Sequence, residues 1–333
     1  RIAFLAPSDR SHFGSSSLAQ IHFRHPPPCH FNALMAEPVA TGDVKKEEVS
    51  RKERRQLKDQ ARVEELAPLL QKLRSEDAAE QLDAARELRT QMEGAHPPPL
   101  DAVVHAGFPP RLMELAKQGE RHELQFEALW VLTDLTSGAE RQTKEVVEHG
   151  AIDIFEHLLL SPSASAREQA LAILANIAGA SVELRDRVLS SGAVSDVLKM
   201  LHVGMANEHQ TYYDEAAKVW KLRAGEPEQP ISVTRKAALC VSRLCQGEPQ
   251  PALGEAAMPL LMVLVTLVME TDEEILMHAC TALSSLKYGA FEHDFMVKDG
   301  VDTRLSDLLS HSNSDVQTLA KTASEKLAAA KSS

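Results

Sequence analysis

Apolar residues recur at every third or fourth position through most of the chain after Val63. This spacing places them on one face of a helix, whereas a half-buried strand would alternate apolar and polar residues. The clearest case is residues 125–143, QFEALWVLTDLTSGAERQT, in which an apolar segment ends at Ser137-Gly138. Because glycine readily adopts the left-handed conformation that closes a helix, we expect a left-handed Gly138 to end this one. The pattern predicts helices and no convincing strand.

Glycine-containing joints divide the helical part of the chain into units of similar length. They lie at Gly107, Gly150, Gly192 and Gly300, and the first two intervals are 43 and 42 residues. Each joint precedes a Leu-rich helix and then a longer apolar helix. A period near 42 residues built from helices alone is typical of an armadillo or HEAT solenoid, whose stacked repeats bury one continuous core. We therefore predict an all-α right-handed armadillo-repeat solenoid of about six repeats.

One predicted repeat is longer than the others. The interval from Gly192 to Gly300 divides near Ala256, where a Leu-rich helix begins without a glycine. The unit before Ala256 then carries about 22 extra residues, which we place at 206–230. Insertions in repeat proteins form surface loops. The aromatic residues of this insertion either bind a partner or pack back onto the solenoid, and we favour packing: Tyr212, Tyr213 and Trp220.

Composition supports a helical, non-catalytic protein. Aromatic residues make up 4% of the 333 residues, and Ala, Leu and Glu are abundant, which favours helix. The apolar segment 258–269 is shorter than the roughly 20 residues that span a bilayer, so we expect a buried helix and no membrane partner. No H-E-x-x-H spacing is present, and no Gly-rich loop follows a strand. We expect no enzyme activity, no cofactor and no metal site.

The cysteines have neither metal-binding nor disulfide spacing: Cys29, Cys240, Cys245 and Cys280. Cys240 and Cys245 share one helical segment, where small buried thiols are the simplest interpretation. A reducing compartment follows from that interpretation.

Charge is distributed unevenly along the chain. The net charge is −12, yet residues 1–62 carry 11 Lys/Arg against 7 Asp/Glu. An acidic body repels nucleic acid and favours basic partners. Residues 41–62 form a predicted basic helical segment, which is either a solvated lead-in or a partner-binding arm; its basic cluster is Arg51, Lys52, Arg54, Arg55 and Lys58. Residues 1–40 show no period, and we interpret them as a disordered leader, a fragment or an artefact of the gene model.

Four segments of the predicted repeat domain at 63–333 resemble importin alpha: FEALWVLTDLTSG, EQALAILANIAGA, RKAALCVSRLCQGEPQP and DEEILMHACTALSSLKYG. The resemblance extends in order from about Val63 to the last residues. It implies a receptor for nuclear localisation signals that is present in the cytoplasm and the nucleus. It also implies basic, Lys/Arg-rich cargo and importin beta, bound through Arg51–Lys58, as partners. The family has about ten repeats, so six would mean a shortened protein or an incomplete gene model.

In importin alpha the signal peptide lies against a Trp and, four residues later, an Asn on successive third helices. This chain departs from that pattern, because the corresponding pairs are Trp130 and Asp134, Ala172 and Asn176, Leu239 and Arg243, and Thr281 and Ser285. The acid expected after Asn176 is replaced by Ala180. The resemblance thus implies a reduced peptide-binding set: Trp130, Asp134, Gly138, Thr143, Gln169 and Asn176.

Two interpretations of Trp130 remain open, a core aromatic or a residue of an exposed groove. We favour the groove, because Phe126, Leu129, Leu132 and Leu135 already supply the apolar face of this helix. Two functions remain open as well. One is a nuclear-import adaptor with a reduced signal site, and the other is an importin-alpha-derived scaffold that binds a different partner. Arg243 favours the scaffold, because it adds a cation to a groove for cations.

Overall fold

The computed structural model describes residues 41–201, 211–214, 219–222 and 230–330. The predicted leader at 1–40 and most of the insertion lie outside these residues, as do the side chains of Arg51, Lys52 and Arg55. The chain divides into two compact units, residues 1–51 and residues 52–333. All helices that carry the candidate site belong to the second unit.

Helices account for nearly all of the described residues. In chain order they are α1 Thr41–Leu73, α2 Ala78–Gly94, α3 Leu100–His105, α4 Phe108–Ala116, α5 His122–Ser137, α6 Glu140–Glu148, α7 Ala151–Leu159, α8 Ala164–Ala180, α9 Val182–Leu189, α10 Ala193–Leu201, α11 Ile231–Cys245, α12 Ala257–Met269, α13 Glu273–Ser285, α14 Ala290–Lys298, α15 Val301–Leu308 and α16 Ser314–Ala330. None of the helices in this part of the chain is long and apolar enough to cross a membrane.

The helices follow the predicted repeat. Three-helix units are formed by α3–α5, α6–α8, α9–α11 and α14–α16, while a single 3-10 turn at Gly254–Ala256 precedes the pair α12–α13. The last helix of each unit packs against that of the next, in the order α2, α5, α8, α11, α13, α16. Six such helices in the described residues confirm the predicted all-α armadillo solenoid. One continuous core extends through it from Leu66 to Ala330.

Three of the four predicted glycine joints, all except Gly192, adopt a left-handed conformation. Gly107, Gly150 and Gly300 have φ angles of 83°, 80° and 78°, and each stands directly before the second helix of its repeat. This left-handed conformation is unfavourable for residues with a Cβ atom. The glycines therefore allow the sharp turn between the first and second helices.

Gly138 differs from this prediction. Its φ is −73° and its ψ is −157°, so the left-handed closure expected at the end of α5 is wrong. A Cβ atom at this position would lie 2.7 Å from Leu100 Cδ1, which is closer than real Cβ contacts come. Glycine is favoured here because the Leu100 side chain of α3 lies close to the backbone of Gly138. The backbone conformation of Gly138 itself would suit any residue.

The α5 helix packs its leucines into the core but not its phenylalanine. Leu129, Leu132 and Leu135 are at most 1% exposed, whereas Phe126 is 39% exposed. The prediction that Phe126 belongs to the apolar core face is therefore wrong. Phe126 lies one helical turn before Trp130, so the two aromatic residues lie close together along the same side of α5.

The cysteines of α11 are buried as predicted. Cys240 and Cys245 are both 0% exposed, and burial raises the pKa of each thiol to about 12. Cys280 in α13 is also free and buried. These thiols are protonated at neutral pH and act as small apolar groups.

The insertion contains two short strands, β1 Thr211–Asp214 and β2 Val219–Leu222. They pair antiparallel, with Tyr213 opposite Trp220. The expectation of a chain without strands is wrong for this segment, because its β-branched and aromatic residues suit a strand pair. The contacts of its side chains lie outside the described residues, so the packing of its aromatic residues stays a prediction.

Candidate functional site

Trp130 lies on the α5 helix between the neighbouring third helices α2 and α8. It is partly buried and packs against the core. Its ring also contacts a cation, because the guanidinium carbon of Arg89 on α2 lies 5.8 Å from the ring centroid. That distance is within the range of a cation–π interaction. Trp130 therefore packs against the core and also contacts a charged side chain, and its place in a peptide-binding groove stays a prediction.

The Arg89 guanidinium is held by carboxylates from two helices. Nε donates to Glu127 Oε2 on α5 at 2.6 Å, and Nη1 donates to Glu93 Oε1 on α2 at 2.8 Å. The Glu127 side chain is only 8% exposed. Sequence reasoning missed all three residues. The repeat period could have identified two of them, because Arg89 lies 41 residues before Trp130 and Glu93 lies 41 residues before Asp134.

Asp134 follows Trp130 by one turn and is partly buried. Its carboxylate accepts no hydrogen bond from any group in the described parts of the chain. Burial raises its pKa to about 6, and the negative charge of Glu93 adds to this effect. Around Trp130 there are thus three carboxylates, Glu93, Glu127 and Asp134, and two guanidinium groups: that of Arg89 contacts the ring, and Nε of Arg86 lies 4.0 Å from Glu127 Oε1. The surplus of negative charge suits an added cation.

The two predicted residues of α8 are tied to α5 through Thr133. Asn176 Nδ2 donates to Thr133 O and to Thr136 Oγ1, both at 3.3 Å. Thr133 Oγ1 lies 2.6 Å from Gln169 Oε1 and donates to it. The structure therefore brings Gln169 and Asn176 to the seam between α5 and α8, whereas the charged neighbours of Trp130 and Asp134, Arg89 and Glu93, lie on α2. Thr133, which organises this seam, was not anticipated.

Gly138 lies directly after α5, and Thr143 lies in the following helix, α6. Thr143 is fully buried, and its hydroxyl donates to Thr136 O at 3.1 Å. Its side chain supports the end of α5 from below the surface. No basic residue stands in the last turn of α5. The carbonyl end of this helix, which carries partial negative charge, is therefore not neutralised by its own helix.

The corresponding positions on α11 and α13 differ in character. Arg243 on α11 is exposed, and its Cδ lies 3.1 Å from the place that a Cβ on Gly179 would take. Its guanidinium forms no ion pair with the residues the structure describes. On α13 the hydroxyls of Thr281 and Ser285 each donate to a carbonyl of their own helix at 2.7 Å. The acidic surface is therefore confined to α2 and α5, with the amides of α8 beside it.

The predicted basic cluster lies on α1. Arg54 and Lys58 are exposed there. The side chains of the other three members, Arg51, Lys52 and Arg55, are not described, so the proposed arm is not tested by its contacts.

Comparisons with known proteins agree with this fold. The model of the armadillo/beta-catenin-like repeat matches residues 96–137 and 139–179. Importin subunit alpha-1b of Oryza sativa subsp. japonica is 37% identical over 258 residues, which are 77% of this chain and 44% of that protein. Importin subunit alpha-2 of Arabidopsis thaliana is 37% identical over 251 residues, 75% of this chain and 42% of that protein. The chain thus spans less than half the length of these relatives.

Solved structures show the same architecture. A designed armadillo repeat protein in complex with the peptide (KR)4 superimposes with a TM-score of 0.62 at 24% identity, covering 79% of this chain and 99% of that one. At this identity the likeness concerns the fold. Repeat pitch, helix packing, the matched repeat model and the importin alpha relatives together lead to one conclusion: the chain has the fold of an armadillo-repeat protein and is similar to importin alpha over about three quarters of its length.

Proposed function

We propose that this protein is a nuclear-import adaptor that binds Lys/Arg-rich nuclear localisation signal peptides and moves between the cytoplasm and the nucleus. The proposed binding surface consists of Trp130 and Asp134 on α5 with Gln169 and Asn176 on α8. The observation that carries this proposal is the surplus of carboxylates around the partly exposed ring of Trp130. Gly138 and Thr143 are proposed to shape the adjoining turn.

A basic peptide matches this surface chemically. An indole face attracts a cation by about 0.5–2 kcal/mol, and the aliphatic stem of Lys or Arg packs against it. The carboxylate of Asp134 has lost much of its hydration without gaining a partner, so a nearby ammonium or guanidinium would stabilise its charged form. A designed protein of the same fold was solved with the peptide (KR)4, so the fold is compatible with a basic peptide.

Asn176 supplies the polar contacts that an extended peptide needs. Its Nδ2 donates hydrogen bonds to Thr133 O and Thr136 Oγ1 on α5. No donor in the described residues lies within hydrogen-bond distance of its Oδ1. That oxygen is available to accept a hydrogen bond from a peptide N–H. Asp134 can accept from a backbone N–H as well, but it cannot donate to a carbonyl when it is ionised. The proposed site therefore holds the peptide mainly by accepting hydrogen bonds and by charge.

The basic cluster on α1 is proposed to bind importin beta. Arg54 and Lys58 are exposed, which supports this role, and the cluster also contains Arg51, Lys52 and Arg55. A pull-down with importin beta checks it. Replacement of these five residues by Ser should abolish capture, and unchanged capture would show that another surface binds.

A second candidate function is an armadillo scaffold that no longer reads localisation signals. The exposed Arg243, which has no ion pair within the described part of the chain, favours it, because a cation two repeats after Trp130 repels a long basic peptide. Under this alternative the protein binds another partner, and Trp130 serves mainly in packing.

Binding of a fluorescent Lys-rich signal peptide distinguishes the two candidates. Trp130→Ala should weaken binding by roughly 10- to 100-fold, because aromatic anchors typically contribute 1–3 kcal/mol. Trp220→Ala, in the insertion, is the matched control and should leave affinity unchanged. Circular dichroism of both variants verifies that the helices remain. Absence of binding at micromolar concentration, or binding that Trp130→Ala does not affect, would favour the scaffold.

A further inference from the structure

We infer that Arg89 is an internal ligand of the Trp130 ring, which an incoming basic side chain must displace, so that Arg89 lowers the affinity of this site for Lys-rich peptides. This inference rests on the proposed function and identifies a residue that determines its specificity. Arg89 belongs to the protein's own chain, and its guanidinium lies at the Trp130 ring, where a basic side chain of the peptide would lie.

The contact with the ring is held in place from two sides. The Arg89 guanidinium lies 5.8 Å from the Trp130 centroid, and its Nε and Nη1 are engaged by Glu127 and Glu93. Arg89 is 30% exposed, and Glu127 is 8% exposed. An ion pair shielded to this degree keeps a long side chain in one orientation better than a pair at the open surface does. Arg89 therefore covers part of the ring in the free protein.

Covering the ring has two consequences for a ligand. A peptide ammonium that approaches the covered face meets a fixed positive charge, and like charges repel. To reach the ring it must move Arg89 away from Glu127 and Glu93. A peptide arginine can rebuild both hydrogen bonds with its planar fork, whereas a lysine provides a single point charge. The site should therefore prefer Arg to Lys at the residue that meets Trp130.

A neighbouring residue offers a matched control. Arg86 lies on the same helix, donates to Glu123 at 3.0 Å, and is 4.0 Å from Glu127. Its removal changes the charge of α2 by the same amount as removal of Arg89. Of these two arginines, only Arg89 forms a cation–π contact with the ring in the described residues. A difference in peptide affinity between Arg89→Ala and Arg86→Ala therefore reports on the contact of Arg89 with the Trp130 ring and not on overall charge.

The experiment measures binding of a Lys-rich and an Arg-rich peptide to the wild type, Arg89→Ala and Arg86→Ala. We expect Arg89→Ala to bind the Lys-rich peptide about 10-fold more tightly, and Arg86→Ala to change it by less than about 3-fold. The preference for the Arg-rich peptide should persist in Arg89→Ala, because Glu127 and Glu93 remain to accept hydrogen bonds from the peptide guanidinium. Arg89→Gln is a second variant, which keeps a donor to Glu127 and guards against loss of folding; it should also bind more tightly.

A second readout observes the ring itself. Trp130 and Trp220 are the two tryptophans of the chain, so Trp220→Phe leaves Trp130 as the reporter. Acrylamide should quench the Trp130 fluorescence more strongly in Arg89→Ala than in the protein that keeps Arg89. Quenching in Arg86→Ala should equal that in the protein that keeps both arginines. Equal quenching in all three proteins would overturn the inference, since the ring would then not be covered in solution.

The outcomes separate this inference from the proposed function. If the wild type binds through Trp130 but Arg89→Ala and Arg89→Gln bind no more tightly, the inference alone fails. If only the Arg89 variants bind, and Trp130→Ala abolishes that binding, the inference holds and the wild type is not a signal receptor. If none of these proteins binds either peptide, both fail.

Discussion

Asp134 is the residue at which the chemistry of this surface departs most from that of an ordinary exposed carboxylate. Its pKa is raised to about 6 by burial and by the charge of Glu93. In the unfolded chain the pKa returns to its ordinary value near 3.8. The native state therefore holds this proton more strongly than the unfolded state, and the group reduces stability as pH rises from about 4 to 6.

Asp134→Asn should stabilise the folded protein at pH 7. The difference between the two pKa values corresponds to roughly 3 kcal/mol, and solvent screening at a partly exposed group reduces the gain to about 1–2 kcal/mol. The gain should disappear near pH 4, where the carboxyl is protonated in the folded protein. Urea unfolding of both proteins at the two pH values measures it. An equal gain at both pH values would mean that the substitution acts through packing.

Gly138→Ala should destabilise the protein by about 1–2 kcal/mol, because the new Cβ would lie 2.7 Å from Leu100 Cδ1 and 3.2 Å from Leu135 O, so that the Leu100 side chain must change its packing. Gly94→Ala is the control, since a Cβ there meets nothing within 4 Å. Thermal or urea unfolding compares the two. If Gly138→Ala leaves the free energy of unfolding unchanged, the Leu100 side chain can move away at no cost.

At the scale of helices, the repeat with the insertion is held together by one buried arginine. Arg185 on α9 is 1% exposed, and its Nη1 donates to Gln246 O at 2.7 Å and to Pro249 O at 3.0 Å. Its Nε and Nη2 donate to Asp186 Oδ1. The side chain thus joins the first helix of this repeat to the segment after its third helix, on the far side of the insertion.

Arg185→Ala should lower the free energy of unfolding by about 3 kcal/mol, because it removes the donor to the carbonyl oxygens of Gln246 and Pro249 and leaves a cavity in place of a buried side chain. Arg187→Ala is the matched control two residues away. Arg187 pairs with Glu148 at the exposed surface, and such pairs contribute about 0–1 kcal/mol. Denaturant unfolding measures both. Similar losses in the two variants would contradict the role given to Arg185.

At the scale of the whole molecule, the solenoid brings residues of successive repeats together, so that function depends on stacking. Third helices pack in sequence from α2 to α16, and the site draws on α2, α5 and α8. The insertion between α10 and α11 is not needed for this stacking, because α8 and α11 pack directly against each other. This arrangement separates the two candidate functions in space.

Replacement of residues 206–229 by a linker of about five residues should leave the protein folded, since connections of that length commonly join helices. Binding of a basic peptide at Trp130 should then be unchanged. Far-ultraviolet circular dichroism and peptide titration check these two expectations. Loss of peptide binding in a folded protein would show that the peptide needs the insertion and would contradict the proposed site at Trp130.

The sequence by itself determined the repeat architecture. Apolar spacing and glycine joints are local features, since a residue such as Gly150 adopts its left-handed conformation because of its own lack of a Cβ atom. The tertiary structure decided the composition of the site. Arg89 and Trp130 are 41 residues apart, and their contact depends on how two packed helices are rotated about their axes. The exposure of Phe126 and the contact of Gly138 with Leu100 depend on the same rotations, which no local pattern specifies.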